Sequence, residues 1–305
     1  MAAPPQDILL AGASGRLGRY LVRELHSRGH RVTALTRDRH RVVDLFPWLH
    51  NVVEADLTRP ATLRDACAGI TTVFSCAGAS LAVPGWPHRH SFHAVDFFGN
   101  QYLLAAAQQA GVDRFGYVSV FGGPGQRHLA YSDAHERFAE ALLQSGIPAT
   151  IIRPTGFFGF FADIFAMARR GVAIQIGNGA SRTNPIHEAD LAVVCADALA
   201  APPGEIDAGG PEVLTRRRTV ELAFEALARP ARILSVPPFL FRSAALMARP
   251  VHPRVAHLLA FGTAVSTTDV IAPAHGVRRL DDYYRDLAGF AAAGVVAGSG
   301  QESVS

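Results

Sequence analysis

The stretch that most constrains the fold is Ile8-Leu9-Leu10-Ala11-Gly12-Ala13-Ser14-Gly15-Arg16-Leu17-Gly18-Arg19-Tyr20-Leu21-Val22. An apolar run stops at Gly12, three glycines follow at intervals of three, and a helical pattern then begins. This reads as strand, tight turn, helix. Gly12 allows the turn, Gly15 lets a diphosphate approach bare backbone at the positive end of the helix, and Gly18 lets that helix lie close to the sheet.

The first half continues the alternation. Strands are expected at 8–11, 30–36, 51–55, 71–75, 115–120 and 148–154, with helices at 16–28, 61–68, 92–110 and 131–144. Strands separated by helices at this spacing predict a Rossmann-type doubly wound parallel α/β sheet. The pattern loosens after Pro154. A dinucleotide-binding domain over 7–154 is expected, followed over 155–290 by a smaller α/β substrate-cleft domain interleaved with it through its helices. Within this second part a short strand is expected at Ile206, helices at 186–199 and 216–228, and an irregular apolar segment at 251–275. A disordered tail is expected at 298–305.

Composition narrows the chemistry. All 29 basic residues are arginine, so a Schiff base, a Walker lysine and a lysine partner for a tyrosine acid are excluded. A net charge of +3 does not specify a nucleic-acid surface. Three scattered cysteines indicate neither a disulfide framework nor a CxxC site. The apolar runs are far shorter than a bilayer span, and the start lacks a signal-peptide pattern. A cytoplasmic protein is expected, with neither nucleic acid nor membrane as partner, as a monomer or a homodimer. His88, His90 and His93 lack metal-site spacing and an accompanying carboxylate or thiolate, so no metal is expected.

Residues expected to border a bound dinucleotide are Gly12, Ser14, Gly15, Arg16, Leu17, Gly18, Arg37, Asp56, Leu57, Cys76, Ala77, Gly78 and Pro154. Arg37 stands at the end of the second strand, where an acid would meet the ribose diol of NAD. A guanidinium there can fork onto a 2′-phosphate, with Arg16 as a second contributor, so NADP(H) is expected in preference to NAD(H). Asp38 is the counter-indication. In the helix over 92–110, Val95, Phe98, Tyr102 and Leu103 are expected to pack, Asn100 to hold the end of the next strand and Asp96 to be exposed. Tyr131 and His135 are four apart and share a helix face. Phe157, Phe158 and Phe161 belong to the richest aromatic stretch and are expected to line an apolar pocket. His187 is expected to be structural.

Four segments together carry a resemblance: Gly12-Ala13-Ser14-Gly15-Arg16-Leu17-Gly18, Glu54-Ala55-Asp56-Leu57, Ser145-Gly146-Ile147-Pro148-Ala149-Thr150-Ile151-Ile152-Arg153-Pro154 and Asn184-Pro185-Ile186-His187-Glu188-Ala189-Asp190-Leu191-Ala192. The chain resembles the atypical short-chain dehydrogenase/reductase superfamily, in its NAD(P)-binding, NmrA-like and isoflavone-reductase-like branch. The resemblance implies Ser119, Tyr131 and His135 in the places of that superfamily's Ser, Tyr and Lys, with His135 holding the ribose and Ser119 orienting a substrate oxygen. It implies reduction by NADPH of a carbonyl or activated double bond on an apolar small molecule. The alternatives are a non-catalytic NADP(H)-binding regulator acting through a protein partner, and an epimerase or isomerase that retains its cofactor.

Overall fold

The computed structural model describes residues 4–79 and 91–292. The first half alternates β1 (Asp7–Ala11), α1 (Arg16–Ser27), β2 (Arg31–Thr36), β3 (Asn51–Glu54), β4 (Thr72–Ser75), α2 (Asn100–Ala110), β5 (Arg114–Val118), α3 (Ala130–Leu143) and β6 (Ala149–Pro154). The second half adds α4 (Phe158–Arg169), β7 (Ala173–Ile176), β8 (Arg182–Thr183), α5 (Glu188–Ala200), β9 (Gly204–Ala208), β10 (Leu214–Thr215) and α6 (Arg216–Ala226). It closes with β11 (Ile233–Val236), α7 (Pro238–Ala248), α8 (Pro253–Thr267) and α9 (Leu280–Ala292). Among the described residues no helix is long and apolar enough to cross a membrane.

One seven-stranded sheet runs in the order β3-β2-β1-β4-β5-β6-β9, every neighbouring pair parallel. Strand order reverses between β1 and β4, which opens a crevice at their carboxyl ends. The strand expected around Ile206 is β9, and it extends this main sheet beyond β6. Both faces are covered, which is why the central strands are almost continuously apolar. On one face Leu17, Leu21 and Leu25 of α1 meet Leu191, Cys195 and Leu199 of α5 in a single core. On the other, Leu103 and Ala107 of α2 and Phe138 and Leu142 of α3 cover Leu9, Phe115 and Ile151. A third core joins α4, α6 and α9.

Three elements depart from the sequence expectation. The helix over 92–110 begins as a wider π-wound segment, His93–Gly99, before α2. That winding turns the face: Phe98 and Tyr102 are exposed, while Asp96, expected outside, is fully buried. In helix α5 the sequence pattern puts Ala189, Val193 and Ala196 on one packing face; the helix is buried on almost every side, but Val193 is exposed. The segment 251–275, expected to be irregular, contains the 15-residue helix α8, started by Pro253 and capped by His252. The tail expected at 298–305 lies outside the described residues.

The segment around Asn184 binds distant pieces together. Its buried amide donates to the carbonyls of Gly210 and Ala272 and accepts from the amide of Ala272. Glu188 accepts from the amide of Gly159 at the start of α4, and Asp190 accepts from the amides of Val277 and Arg278. His187 caps α5 by accepting from the amide of Ala189, the structural role expected of it.

Candidate active site

The glycine turn sits at the reversal of strand order. Gly12 has φ +89°, and a Cβ there would come within 2.8 Å of the Cys76 carbonyl and the Ala77 amide nitrogen. At Gly18 a Cβ would stand 2.1 Å from the Gly12 carbonyl oxygen, so only glycine lets α1 approach this closely. Helix α1 has no capping side chain and no acid in its first turn, and Gly15 and Arg16 are exposed at its start. The uncapped amide groups and the bare backbone fit a dinucleotide diphosphate. Ser14 is half-buried beside them, and Leu17 is buried under the turn.

Around this turn the other expected cofactor residues separate. Arg37 is exposed at the end of β2, and its charge reaches Asp56. Arg16 lies on the opposite side, against Gly159 and Glu188: a Cβ at Gly159 would fall 2.0 Å from its Nη1. The Asp38 carboxylate is exposed and accepts from the amide of His40. Asp56 accepts from both the amide and the hydroxyl of Thr58, which lowers its pKa despite partial burial. Leu57 is buried against Gly99. Cys76 donates through Sγ to the Ala11 carbonyl, and burial pushes its thiol up to about 12. Pro154 closes β6 and is buried. Ala77 and exposed Gly78 follow the end of β4.

Beneath Gly78 lies a buried polar chain. A Cβ on Gly78 would come within 2.8 Å of Asp96 Oδ1 and 3.9 Å of the His135 ring. Asp96 Oδ1 accepts from the amide of Ala79 and stands 3.7 Å from His135 Nε2. His135 Nδ1 and the Tyr117 hydroxyl share a 2.6 Å hydrogen bond. Asn100 donates to the Asp96 carbonyl and accepts from Ser75, so it holds the end of the preceding strand β4 and not that of the strand that follows its helix. Burial drives both titratable groups toward neutrality: the Asp96 carboxyl rises to about 8 and the His135 imidazole falls to about 3. Asp96 Oδ2 and His135 Nε2 have no hydrogen-bond partner among the described residues.

The three residues of the expected trio differ in their surroundings. His135 is 4% exposed, with its ring between Tyr117 and Tyr131. The Ser119 hydroxyl donates to Glu136, whose carboxylate is gripped on both oxygens by Arg153. Tyr131 remains half-buried at the start of α3, edge-on to His135, Phe92 and Phe261. Its hydroxyl has no hydrogen-bond partner among the described residues, and burial together with Asp96 raises its pKa. Asp96, Tyr117 and the Glu136–Arg153 pair were not singled out as site residues by the sequence.

Of the aromatic stretch, Phe158 and Phe161, expected on a pocket wall, are buried in the third core with Phe165 and Phe224. Their spacing along α4 turns them toward α6 and α9. Phe157 is half-buried and stacks on exposed Phe160. His93 faces Asp133 at 3.5 Å, while His88 and His90 lie outside the described residues.

A family model described as NAD(P)H-binding matches residues 12–202. A divinyl chlorophyllide a 8-vinyl-reductase from Oryza sativa subsp. indica is 31% identical over 259 residues, covering 78% of this chain and 62% of that protein. The photosystem II assembly factor Ycf39 of Guillardia theta is 32% identical over 152 residues, 50% of this chain and 47% of that one. The chain thus spans less than two thirds of the length of these curated relatives. Among solved structures, an NADPH-dependent quinone oxidoreductase from Escherichia coli, complexed with NADPH, superposes with a TM-score of 0.75 at 19% identity. That match covers 92% of this chain and 99% of the other, a likeness of fold.

Proposed function

We propose that this chain, which belongs to the NAD(P)H-binding family, is an atypical short-chain dehydrogenase/reductase and an NADPH-dependent reductase of a carbonyl or activated double bond on an apolar small molecule. The observation that carries this reading is Tyr131, a phenol with no hydrogen-bond partner among the described residues, set among aromatic rings beyond the end of β5. The rice relative is named as a vinyl reductase, which agrees with double-bond reduction.

When bound, the nicotinamide supplies the hydride. The protein does the rest. The uncapped start of α1 holds the diphosphate, with Arg37 at the end of β2 available to a 2′-phosphate. Tyr131 donates its proton to the substrate atom on which negative charge develops. At neutral pH it is a phenol, the protonated form that a general acid requires. Asp96 and His135 position it from below, and Phe92 and Phe261 exclude water.

The test is incubation with NADPH and a panel of hydrophobic enones and ketones, followed at the nicotinamide absorbance. Tyr131→Phe is expected to lower kcat by about 10²–10⁴-fold, the usual worth of a positioned general acid, and to leave NADPH affinity within about twofold, since the phenol is remote from the diphosphate cradle. Turnover that survives this substitution removes Tyr131 from the mechanism. A second reading, a non-catalytic NADP(H)-binding regulator, draws on the Guillardia theta relative named as an assembly factor and on the confinement of His135. Tight NADPH binding without turnover of any panel member, with a recoverable protein partner, favours it.

A further inference from the structure

Helices α7 and α8 pack on each other as a hairpin at the edge of the second part. Its two sides differ. The inner side of α8 closes on the site, with Phe261 against Tyr131 and His257 near Phe92. Among the described residues nothing covers the outer side of α7. Of the residues in α7 only Ala245 is buried, while Phe239 is 62%, Leu240 49%, Leu246 70% and Met247 78% exposed, followed by Val251 at 84%.

These exposed side chains are not scattered. At 3.6 residues per turn, Phe239, Leu240, Leu246 and Met247 fall within an arc of about 120°. Arg242 and Arg249, both exposed, flank that arc on one side. The charge pattern is one-sided over a long range. Between Glu225 and Asp269 the sequence holds five arginines and no aspartate or glutamate. An apolar arc bordered by cations, without a compensating acid, is the pattern of a helix that lies in a membrane interface. Self-association through this face would set arginines against arginines, and a nucleic-acid backbone would leave the four large apolar side chains in water.

We propose that the α7–α8 hairpin is a docking surface for an anionic lipid bilayer, with Phe239, Leu240, Leu246 and Met247 entering the headgroup–acyl boundary and Arg242 and Arg249 meeting lipid phosphates. The surface revises the expectation that the chain has no membrane partner. It does so without a membrane span: the hairpin lies on the bilayer, and does not cross it.

The experiment is flotation of the full chain with phosphatidylcholine vesicles, with and without added phosphatidylglycerol. Binding to the anionic vesicles is expected, weakened by salt. A Leu246→Glu/Met247→Glu variant is expected to lose at least tenfold in vesicle affinity with unchanged NADPH affinity and circular dichroism, because both side chains are largely in solvent. Arg242→Ser and Arg249→Ser should each lose about fivefold, the effect of one basic residue near an anionic surface. A Leu246→Trp variant should show blue-shifted emission on anionic vesicles alone. The proposal is overturned if wild-type chain ignores both vesicle types. It is equally overturned if the double substitution leaves vesicle affinity unchanged, or if light scattering shows a dimer that the double substitution dissociates while vesicles compete for nothing. None of these readouts depends on turnover, so failure here and failure of the reductase reading are separate results.

Discussion

Asp96 is the residue whose environment most contradicts its chemistry in isolation. A carboxyl with an ordinary value of 3.8 is held at about 8 by complete burial, against the opposing help of the Ala79 amide. Between those values the folded chain keeps a proton that the unfolded chain has released. Stability contributed through this group therefore falls as pH rises from about 4 to about 8. His135 acts in the other direction. Its folded value of about 3 lies below the ordinary 6.5, so stability falls as pH drops through that window. Asp96→Asn keeps the acceptor for Ala79 and removes only the first dependence. In a urea-denaturation series the variant's stability relative to wild type should grow with pH up to about 8 and level off above it. A difference independent of pH would mean that Asp96 is ionised in the folded protein. None of this was visible in the sequence, where Asp96 is one acid in an amphipathic helix. The groups that desolvate it come from the loop after β4 and from α3, far away in the chain. The same holds for Ser119: a serine at a strand end is easily found, but the Glu136 that accepts its hydrogen bond is identified only once α3 is packed.

At the scale of elements, the glycine turn was legible because its causes are local. Apolar run, glycine spacing and helical periodicity are all contained in one short stretch, and each glycine has a separate steric reason. Gly18→Ala should test this most sharply. The added Cβ would stand 2.1 Å from a backbone oxygen that cannot move without deforming β1. Overpacking of this kind costs about 1–3 kcal/mol or more, and NADPH affinity should fall at least tenfold as α1 is pushed off the turn. Gly111→Ala is the control. Gly111 has φ +68° with nothing within 4 Å of the added atom, so the strain of a left-handed alanine costs about 1–2 kcal/mol and affinity is untouched. Equal losses of affinity in both variants would show that general destabilisation, not the approach of α1 to Gly12, governs binding. The helix over 92–110 was legible only in part, for a definite reason. Reading a face from 3.6-residue periodicity presumes uniform winding, and the π-wound His93–Gly99 breaks that presumption. Phe98 and Tyr102 turn outward and Asp96 inward, while Leu103, beyond the wide turn, packs as its period predicts.

Over the whole molecule, the change of sequence pattern at Pro154 and the arrangement of the cores do not coincide. The strand after the change, β9, lies in register along β6, and Arg153 pairs with both Glu136 and Glu205 across that seam. Helix α5 and the segment before it deliver Ile186, Leu191, Val194 and Leu199 to the core that also holds α1. Each such side chain is worth roughly 1.5–3 kcal/mol when fully buried, so the four contribute about 6–12 kcal/mol. That is comparable with the entire stability of a typical domain, about 5–15 kcal/mol. We therefore propose that the residues after Pro154 complete the dinucleotide-binding half as well as building a substrate cleft. The local pattern shows where alternation weakens, but not that α5 returns to cover α1, because that pairing is set by the sheet and not by any neighbouring residue. A fragment covering residues 7–154 should retain helical circular dichroism, melt without a cooperative transition and show no NADPH affinity, whereas the full chain melts cooperatively and is stabilised by NADPH. A fragment that unfolds sharply and binds NADPH as the full chain does would place the folding boundary at Pro154, and α5 would then be an ornament on an already complete core.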